Sequence, residues 1–171
     1  MSKKVAVLMT SMFEDVEYTD PKKEFEKEGH ELTVIEKEKG KTLEGKQGEA
    51  KVTVDAAVDE VSPSDFDALF IPGGFSPDLL RADERFVTFS KHFIDENKPV
   101  FAICHGPQLL ITAKALEGRN VTGFKSIQVD LEYAKAKVHD EEVVVCHNLV
   151  TSREPDDLPA FNRESLKQLQ S

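Results

Sequence analysis

The sequence is short of cysteine, of basic residues and of long apolar runs, and it has no tryptophan. Only two of its 171 residues are cysteine. That is too few for a disulfide scaffold, so both thiols are predicted to be free in a reducing, intracellular setting. No apolar run approaches the roughly 18 residues of a membrane span, and the first ten residues do not resemble a signal peptide. These absences predict a cytoplasmic protein with no membrane partner.

Basic residues are the second shortage. Lysine and arginine number 22 against 32 acidic residues, which gives a formal net charge of −10. A field of this sign repels phosphate backbones, so no nucleic-acid partner is expected.

What the sequence does contain is an alternation of short apolar runs and polar, helix-compatible stretches. With 39% hydrophobic and 32% charged residues, the chain has the composition of one globular domain, predicted to span 1–171. Strands are predicted at 5–9, 32–35, 51–54, 68–71, 99–103, 143–146 and 149–151, with the last two paired. Helices are predicted at 20–29, 84–96, 108–116 and 155–170. The alternation predicts an α/β sandwich with a mostly parallel central sheet.

The start of the first helix is predicted from an acid followed by proline. Asp20 has the form of an N-cap, and Pro21 is typical of a first helical position. Gly29 marks the end. The helix is therefore predicted to begin at Asp20.

The charged segment 37–50 contains three glycines and is predicted to form an exposed hairpin. Its lysines alternate with glutamates, which predicts a solvated surface. Near the other end of the chain, Arg153 is predicted to pair with Asp156 or Asp157.

The most specific chemical feature is Cys104. In open parallel sheets, ligands bind beyond the carboxyl ends of the strands, here at 10–17, 72–78 and 104–107. Residues 102–106 read Ala-Ile-Cys-His-Gly, with small residues two positions either side of the thiol, as in a nucleophile elbow. A helix that starts just after the cysteine favours the thiolate. The alternative is a buried structural thiol.

These residues also carry a family resemblance. The chain resembles the ThiJ/PfpI superfamily, in its PfpI-like intracellular protease branch. The resemblance covers nearly the whole chain and implies a flavodoxin-like, three-layer α/β sandwich with a mostly parallel sheet and a cysteine nucleophile elbow. The matching segments are 13–17, 71–74, 102–110 and 151–158.

The resemblance implies roles for several of these residues. Cys104 resembles the nucleophile, and Glu17 resembles an acid that hydrogen-bonds the sulfur, with Glu14 as the second candidate. A carboxyl beside a thiolate is reasonable if the carboxyl is protonated and donates to the sulfur. Gly74 resembles an oxyanion donor, together with the backbone N–H of His105. Two alternatives stay open: an acidic first helical turn at Glu14 and Glu17, and a plain tight turn at Gly74.

His105 is a further candidate. In the protease-like pattern the histidine after the cysteine is the general base, oriented by an acid from a neighbouring subunit. The corresponding acid here is Asp78, where the pattern has glutamate, so the shorter side chain leaves the triad geometry open. We therefore rank Cys104 and Glu17 ahead of His105.

The functional prediction is a cysteine-dependent hydrolase or lyase in stress protection. The resemblance implies action on small carbonyl compounds or glycated protein, as a deglycase or glyoxalase-like enzyme, or on peptides. It also implies a homodimer or higher homo-oligomer. The alternative is a non-enzymatic redox sensor or chaperone that uses oxidation of Cys104.

Other classes are excluded on the residues present. No cofactor is expected, and Cys146-His147 has no second ligand pair at zinc spacing, so no metal site is predicted. A flavodoxin is disfavoured because the acids of 14–17 would repel the FMN phosphate.

Overall fold

The fold is a seven-stranded sheet between two layers of helices, seen in a computed structural model that describes residues 1–170. The strand order is β10-β11-β7-β6-β1-β2-β5. Every neighbouring pair is parallel except β10 with β11. The predicted flavodoxin-like, mostly parallel α/β sandwich is therefore confirmed. The strands are β1 (Lys4–Leu8), β2 (Glu31–Glu36), β3 (Thr42–Glu44), β4 (Lys51–Thr53), β5 (Ala56–Ala57), β6 (Ala68–Ile71), β7 (Val100–Ile103), β8 (Asn120–Val121), β9 (Lys137–Val138), β10 (Val144–Cys146) and β11 (Leu149–Ser152).

Two groups of helices cover the two faces of the sheet. Helices α1 and α6 pack on one face, and α2 to α5 contribute to the core on the other. Within the described residues, no helix has both the length and the apolar character needed to cross a bilayer. The helices are α1 (Asp15–Lys27), α2 (Ser76–Leu80), α3 (Glu84–Asp95), α4 (Pro107–Thr112), α5 (Gln128–Tyr133) and α6 (Leu158–Gln170).

The continuous apolar runs of the sequence are strands buried on both faces. In β1, Val5 and Val7 belong to the core under α1 and α6, whereas Ala6 and Leu8 belong to the opposite core. Because successive side chains of a strand point to opposite faces, burial on both sides requires an unbroken apolar run.

The strand order changes direction between β1 and β6. The chain passes from β1 to β2 on one side and returns to β6 on the other. A crevice forms at such a switch point, outside the carboxyl ends of the strands. The segments that follow β1, β6 and β7 all meet there.

The first helix begins at Asp15, so the prediction of a start at Asp20 was wrong. Pro21 lies inside α1, where it has no N–H to donate to the carbonyl of Glu17. The observed N-cap is Glu14, and two acids occupy the first turn, where the helix dipole favours them. The earlier start places Glu17 at the carboxyl edge of the sheet.

Other predictions hold with changes at the ends of elements. The hairpin in 37–53 forms as β3 paired antiparallel with β4. Helix α4 stops at Thr112, four residues short of the prediction. A 3-10 turn at Pro155–Asp157 precedes α6. Arg153 forms the predicted ion pair with Asp157, at 2.9 Å between Nε and Oδ2, and a second ion pair with Asp140 at 3.2 Å.

Candidate active site

Cys104 lies at the sharp turn between β7 and α4. Its backbone is left-handed, with φ of 63°. Its N–H donates to the carbonyl of Ser152 at 3.0 Å, and its own carbonyl accepts from the N–H of Phe124 at 2.8 Å. Gly106 permits the turn, since a Cβ there would lie 2.5 Å from the carbonyl oxygen of Ile71. The strand–cysteine–helix elbow is therefore formed as predicted.

Glu17 is fully buried beside this cysteine. Its Oε1 accepts the N–H of Gly73 at 3.0 Å. Its Oε2 has no hydrogen-bond partner within residues 1–170, and the charge states of this carboxyl and of the neighbouring Cys104 thiol depend on each other. Burial, helped by the charge of Glu14, raises the pKa of Glu17 to about 8. The carboxyl is therefore mostly protonated at neutral pH.

The backbone N–H groups of Gly74 and His105 lie near the sulfur. Burial and then the charge of Glu17 raise the pKa of the Cys104 thiol above its ordinary value, and the N–H groups of Gly74 and His105 only partly offset this rise. Gly74 has φ of 77°, and a Cβ there would lie 2.5 Å from the backbone N of Glu14. The glycine is thus required for the approach of this loop, and it presents its amide to the reacting atom.

The imidazole of His105 lies beside the thiol. Its Nδ1 is 3.4 Å from Sγ of Cys104, and its ring stacks on Phe124 with centroids 4.8 Å apart. Burial, followed by the charge of Lys46, lowers the pKa of His105, and Asp78 opposes this shift. A neutral imidazole at this position can accept or pass a proton.

Asp78 is the predicted site residue that the structure does not bring to the thiol. It is exposed on α2 and does not line the cavity around Cys104. Its charge reaches His105, but among residues 1–170 no hydrogen bond joins the two side chains. The part of Asp78 in a neighbouring subunit's site stays a prediction.

Glu14 stands at the rim of the site. Its carboxylate accepts from Nε2 of Gln47 at 3.1 Å and lies 3.8 Å from Nζ of Lys46. Glu14 therefore has polar partners at the rim, whereas Glu17 is fully buried beside the sulfur. Of the two acids, Glu17 is therefore the one placed to hold a proton for the sulfur.

The site residues surround a small cavity of about 200 Å³. A cavity of about 650 Å³ lies between α1 and β4 but has no cysteine or histidine in its lining, so volume alone does not identify the reactive site. The smaller cavity is lined by Glu14, Glu17, Lys46, Gly74, Phe75, Cys104, His105, Phe124 and Pro155.

Four of these lining residues were not found from the sequence: Lys46, Phe75, Phe124 and Pro155. Lys46 was predicted to lie on a solvated surface. Its side chain is 39% exposed, as predicted, and it also borders the reactive cavity, which the sequence did not indicate.

The reason lies in a buried acid of α1. Asp15 accepts the N–H groups of Gln47, Glu49 and Ala50 at 2.8, 3.0 and 2.8 Å. Burial raises its pKa, but these hydrogen bonds outweigh burial, so the pKa of Asp15 is lowered overall. The charged carboxylate of Asp15 therefore holds the tip of the β3–β4 hairpin beside the reactive cavity. No local signal reveals contacts between residues more than 30 positions apart.

Cys146 lies beside the start of strand β7, whereas Cys104 follows the end of that strand. Cys146 precedes the turn into β11, whose first residue pairs with the first residue of β7. Its Sγ accepts the N–H of Asn120 at 3.4 Å. The second cysteine is thus a strand residue remote from Cys104.

Comparison with known proteins agrees with this geometry. Residues 3–168 match the DJ-1/PfpI family. The chain is 69% identical over 171 residues to "General stress protein 18" of Bacillus subtilis, covering 99% of both chains. It is 60% identical over 170 residues to "Protein/nucleic acid deglycase 2" of Escherichia coli, again covering 99% of both. A solved ThiJ/PfpI domain protein from Brachyspira murdochii superposes with a TM-score of 0.91 at 31% identity, over 98% of this chain and 96% of that one.

Proposed function

This chain belongs to the DJ-1/PfpI family, and we propose that it is a cysteine-dependent enzyme of stress protection that converts small 2-oxoaldehydes such as methylglyoxal. Cys104 is the nucleophile. The observation that carries the proposal is the meeting of Cys104, the buried Glu17 and two amide donors at one small cavity. Methylglyoxal adducts on proteins are the second substrate form, in keeping with the name of the deglycase relative.

The pair of Cys104 and Glu17 carries one proton and one negative charge in its reactive form. The sulfur faces two backbone N–H groups, whereas the carboxyl of Glu17 accepts only one, from Gly73. An anion is more stable where it accepts more hydrogen bonds. A protonated Glu17 no longer raises the pKa of the thiol through its charge, and we therefore place the charge on the sulfur and the proton on Glu17.

The first step is addition of the thiolate to the aldehyde carbon. A carbon–sulfur bond forms, and the electron pair of the carbonyl moves to its oxygen, between the amides of Gly74 and His105. Glu17 then gives its proton to this oxygen. The product is a hemithioacetal, and Glu17 is left as a carboxylate.

The second step moves hydrogen between the two carbons. Glu17 takes the proton of the former aldehyde carbon, which produces an enediolate, and returns a proton to the neighbouring carbon. The hydroxyl hydrogen passes to the adjacent oxygen, so the sulfur now carries a lactoyl thioester. Water then adds to the thioester, gives a proton to Glu17 and releases lactic acid and the thiolate. Overall, one methylglyoxal and one water become one lactic acid, with no external oxidant.

Cavity size favours this chemistry over peptide hydrolysis. A space of about 200 Å³ corresponds to about seven waters at roughly 30 Å³ each, which suits a molecule of a few heavy atoms. Peptidase activity, the redox-sensing alternative, homo-oligomer formation and a cytoplasmic location stay predictions from the sequence.

The proposal is tested by incubating the purified protein with methylglyoxal and no added thiol. We expect one lactate for each methylglyoxal consumed, measured by lactate assay and by loss of the dicarbonyl. Consumption without lactate would indicate simple adduct formation on lysine and arginine. That result, or no turnover at all, would contradict the proposed reaction.

A further inference from the structure

Lys46 is a cation at the mouth of a site that otherwise presents acids and a neutral histidine. Its Nζ lies 5.0 Å from the ring centroid of Phe75 and 3.8 Å from Oε2 of Glu14. Its charge reaches both Glu17 and His105. Lys46 has no role in the reaction steps proposed for Cys104 and Glu17.

The backbone of Lys46 is fixed more firmly than its place in a hairpin suggests. Its N–H donates to the carbonyl of Phe13 at 2.8 Å, directly before α1. The next residue, Gln47, donates its N–H to the buried Asp15. A side chain held at both its backbone and its aromatic contact is preorganised, which is what a group acting on a transition state requires.

The proposed substrate supplies an atom for such a cation. In a 2-oxoaldehyde, a second carbonyl oxygen neighbours the carbon that Cys104 attacks. When the carbon-bound proton leaves, this second oxygen takes up the negative charge of the enediolate. The amides of Gly74 and His105 are occupied by the first oxygen, so the second oxygen needs its own donor.

We infer that Lys46 is a further catalytic residue, whose ammonium group binds the second oxygen of a 2-oxoaldehyde and stabilises the charge that develops there. The inference rests on the proposed function. It makes the site selective for carbonyl compounds with adjacent oxygens, because a simple aldehyde offers nothing to Lys46.

The test uses Lys46→Met and Lys46→Arg, with Lys51→Met as the matched control. Lys51 is an exposed lysine of the same hairpin that does not line the reactive cavity. Since removal of one donor to a developing oxyanion costs on the order of 10²-fold, we expect kcat for methylglyoxal to fall about 100-fold in Lys46→Met. Lys46→Arg should recover part of this loss, and Lys51→Met should match the unmodified protein.

A second measurement separates contact with the substrate from an effect on the thiol. The pH midpoint for alkylation of Cys104 should move by less than about half a unit in Lys46→Met, which is less than 1 kcal/mol. Propionaldehyde, which has one oxygen, should protect Cys104 from alkylation equally well in Lys46→Met and in the unmodified protein. A shift of the alkylation midpoint that accounts for the whole loss of rate would overturn the inference. The same holds if Lys46→Met loses protection by propionaldehyde to the same extent as protection by methylglyoxal.

The failure of this inference and the failure of the proposed function give different results. If the unmodified protein forms lactate and Lys46→Met forms it equally fast, only the role of Lys46 is wrong. If the unmodified protein forms no lactate, the proposed function itself is wrong.

Discussion

Replacement of Cys104 by serine is expected to lower kcat/KM for methylglyoxal by about 10³-fold or more while leaving the fold intact. Loss of a nucleophile that works as a unit with its partners has effects of this order or larger. A serine hydroxyl does not ionise near neutral pH, and the neighbouring Glu17 is held protonated, so it cannot act as a base at the start of the reaction. Serine also fits the buried position of Cys104 without a change in volume that would disturb the core. The measurement is steady-state turnover, with the thermal unfolding midpoint recorded for each protein.

The matched control is Cys146→Ser. Cys146 lies beside the start of strand β7, remote from Cys104, so this variant should keep full turnover. Lactate formation by Cys104→Ser at the rate of the unmodified protein would exclude Cys104 as the nucleophile. Equal losses in both variants would indicate damage to the fold rather than to the chemistry.

The second large effect concerns stability and pH. Replacement of Glu17 by glutamine should make the protein more stable than the unmodified chain at pH 9, with little difference at pH 5. The pKa of Glu17 is raised from 4.5 to about 8 in the folded state. Between these values the folded protein holds a proton that the unfolded chain has released, so the free energy of unfolding falls as pH rises. Glutamine resembles the protonated acid in shape and does not titrate.

The expected size follows from the same linkage. A shift from 4.5 to about 8 corresponds to about 3–5 kcal/mol between low and high pH, at about 1.4 kcal/mol per pH unit. For a chain of this length that is a difference in Tm on the order of 10 °C. Differential scanning calorimetry at pH 5 and pH 9 measures it directly.

Glu28→Gln provides the comparison for this experiment. Glu28 is exposed just after the end of α1, so its replacement should change Tm alike at both pH values. If the difference in Tm between Glu17→Gln and the unmodified protein were the same at pH 5 and pH 9, Glu17 would not hold its proton in the folded state.

The parts of the fold that the sequence could predict are those in which local pattern and burial agree. The runs that form β1, β6 and β7 are apolar without interruption because both faces of these strands are covered. The elbow at Cys104 was visible because a strand pattern ends at the thiol and Gly106 follows two positions later. These features need no knowledge of distant contacts.

Glu17 shows where local reasoning falls short. The Asp20-Pro21 pair has the form of a helix start, yet α1 begins at Asp15, and the residue pattern offered an acidic first turn at Glu17 only as an alternative. Only the resemblance assigned it a place beside the sulfur. Its burial and its bond to Gly73, 56 positions away, depend on how the loops after β1 and β6 meet.

Lys46 shows a second kind of limit. Alternating lysines and glutamates are typical of a solvated hairpin, and most of this hairpin is exposed. The carboxylate of Asp15 holds the tip of the hairpin by three backbone N–H groups, and this brings one lysine to the cavity. An acid that organises a distant loop looks the same in a sequence as one at the surface.

The central claim, that Glu17 and two amides hold Cys104 as a thiolate, is tested most directly by the pH dependence of alkylation at Cys104. The rate with iodoacetamide, resolved from Cys146 by mass spectrometry, should have a midpoint at least about one unit below the unperturbed value of about 8.5. In Glu17→Leu, which removes the donor at similar volume, the midpoint should rise by about one to two units, since a hydrogen bond to a charged group contributes about 1.5–3 kcal/mol. A midpoint at or above about 8.5 that does not move in Glu17→Leu would contradict the account.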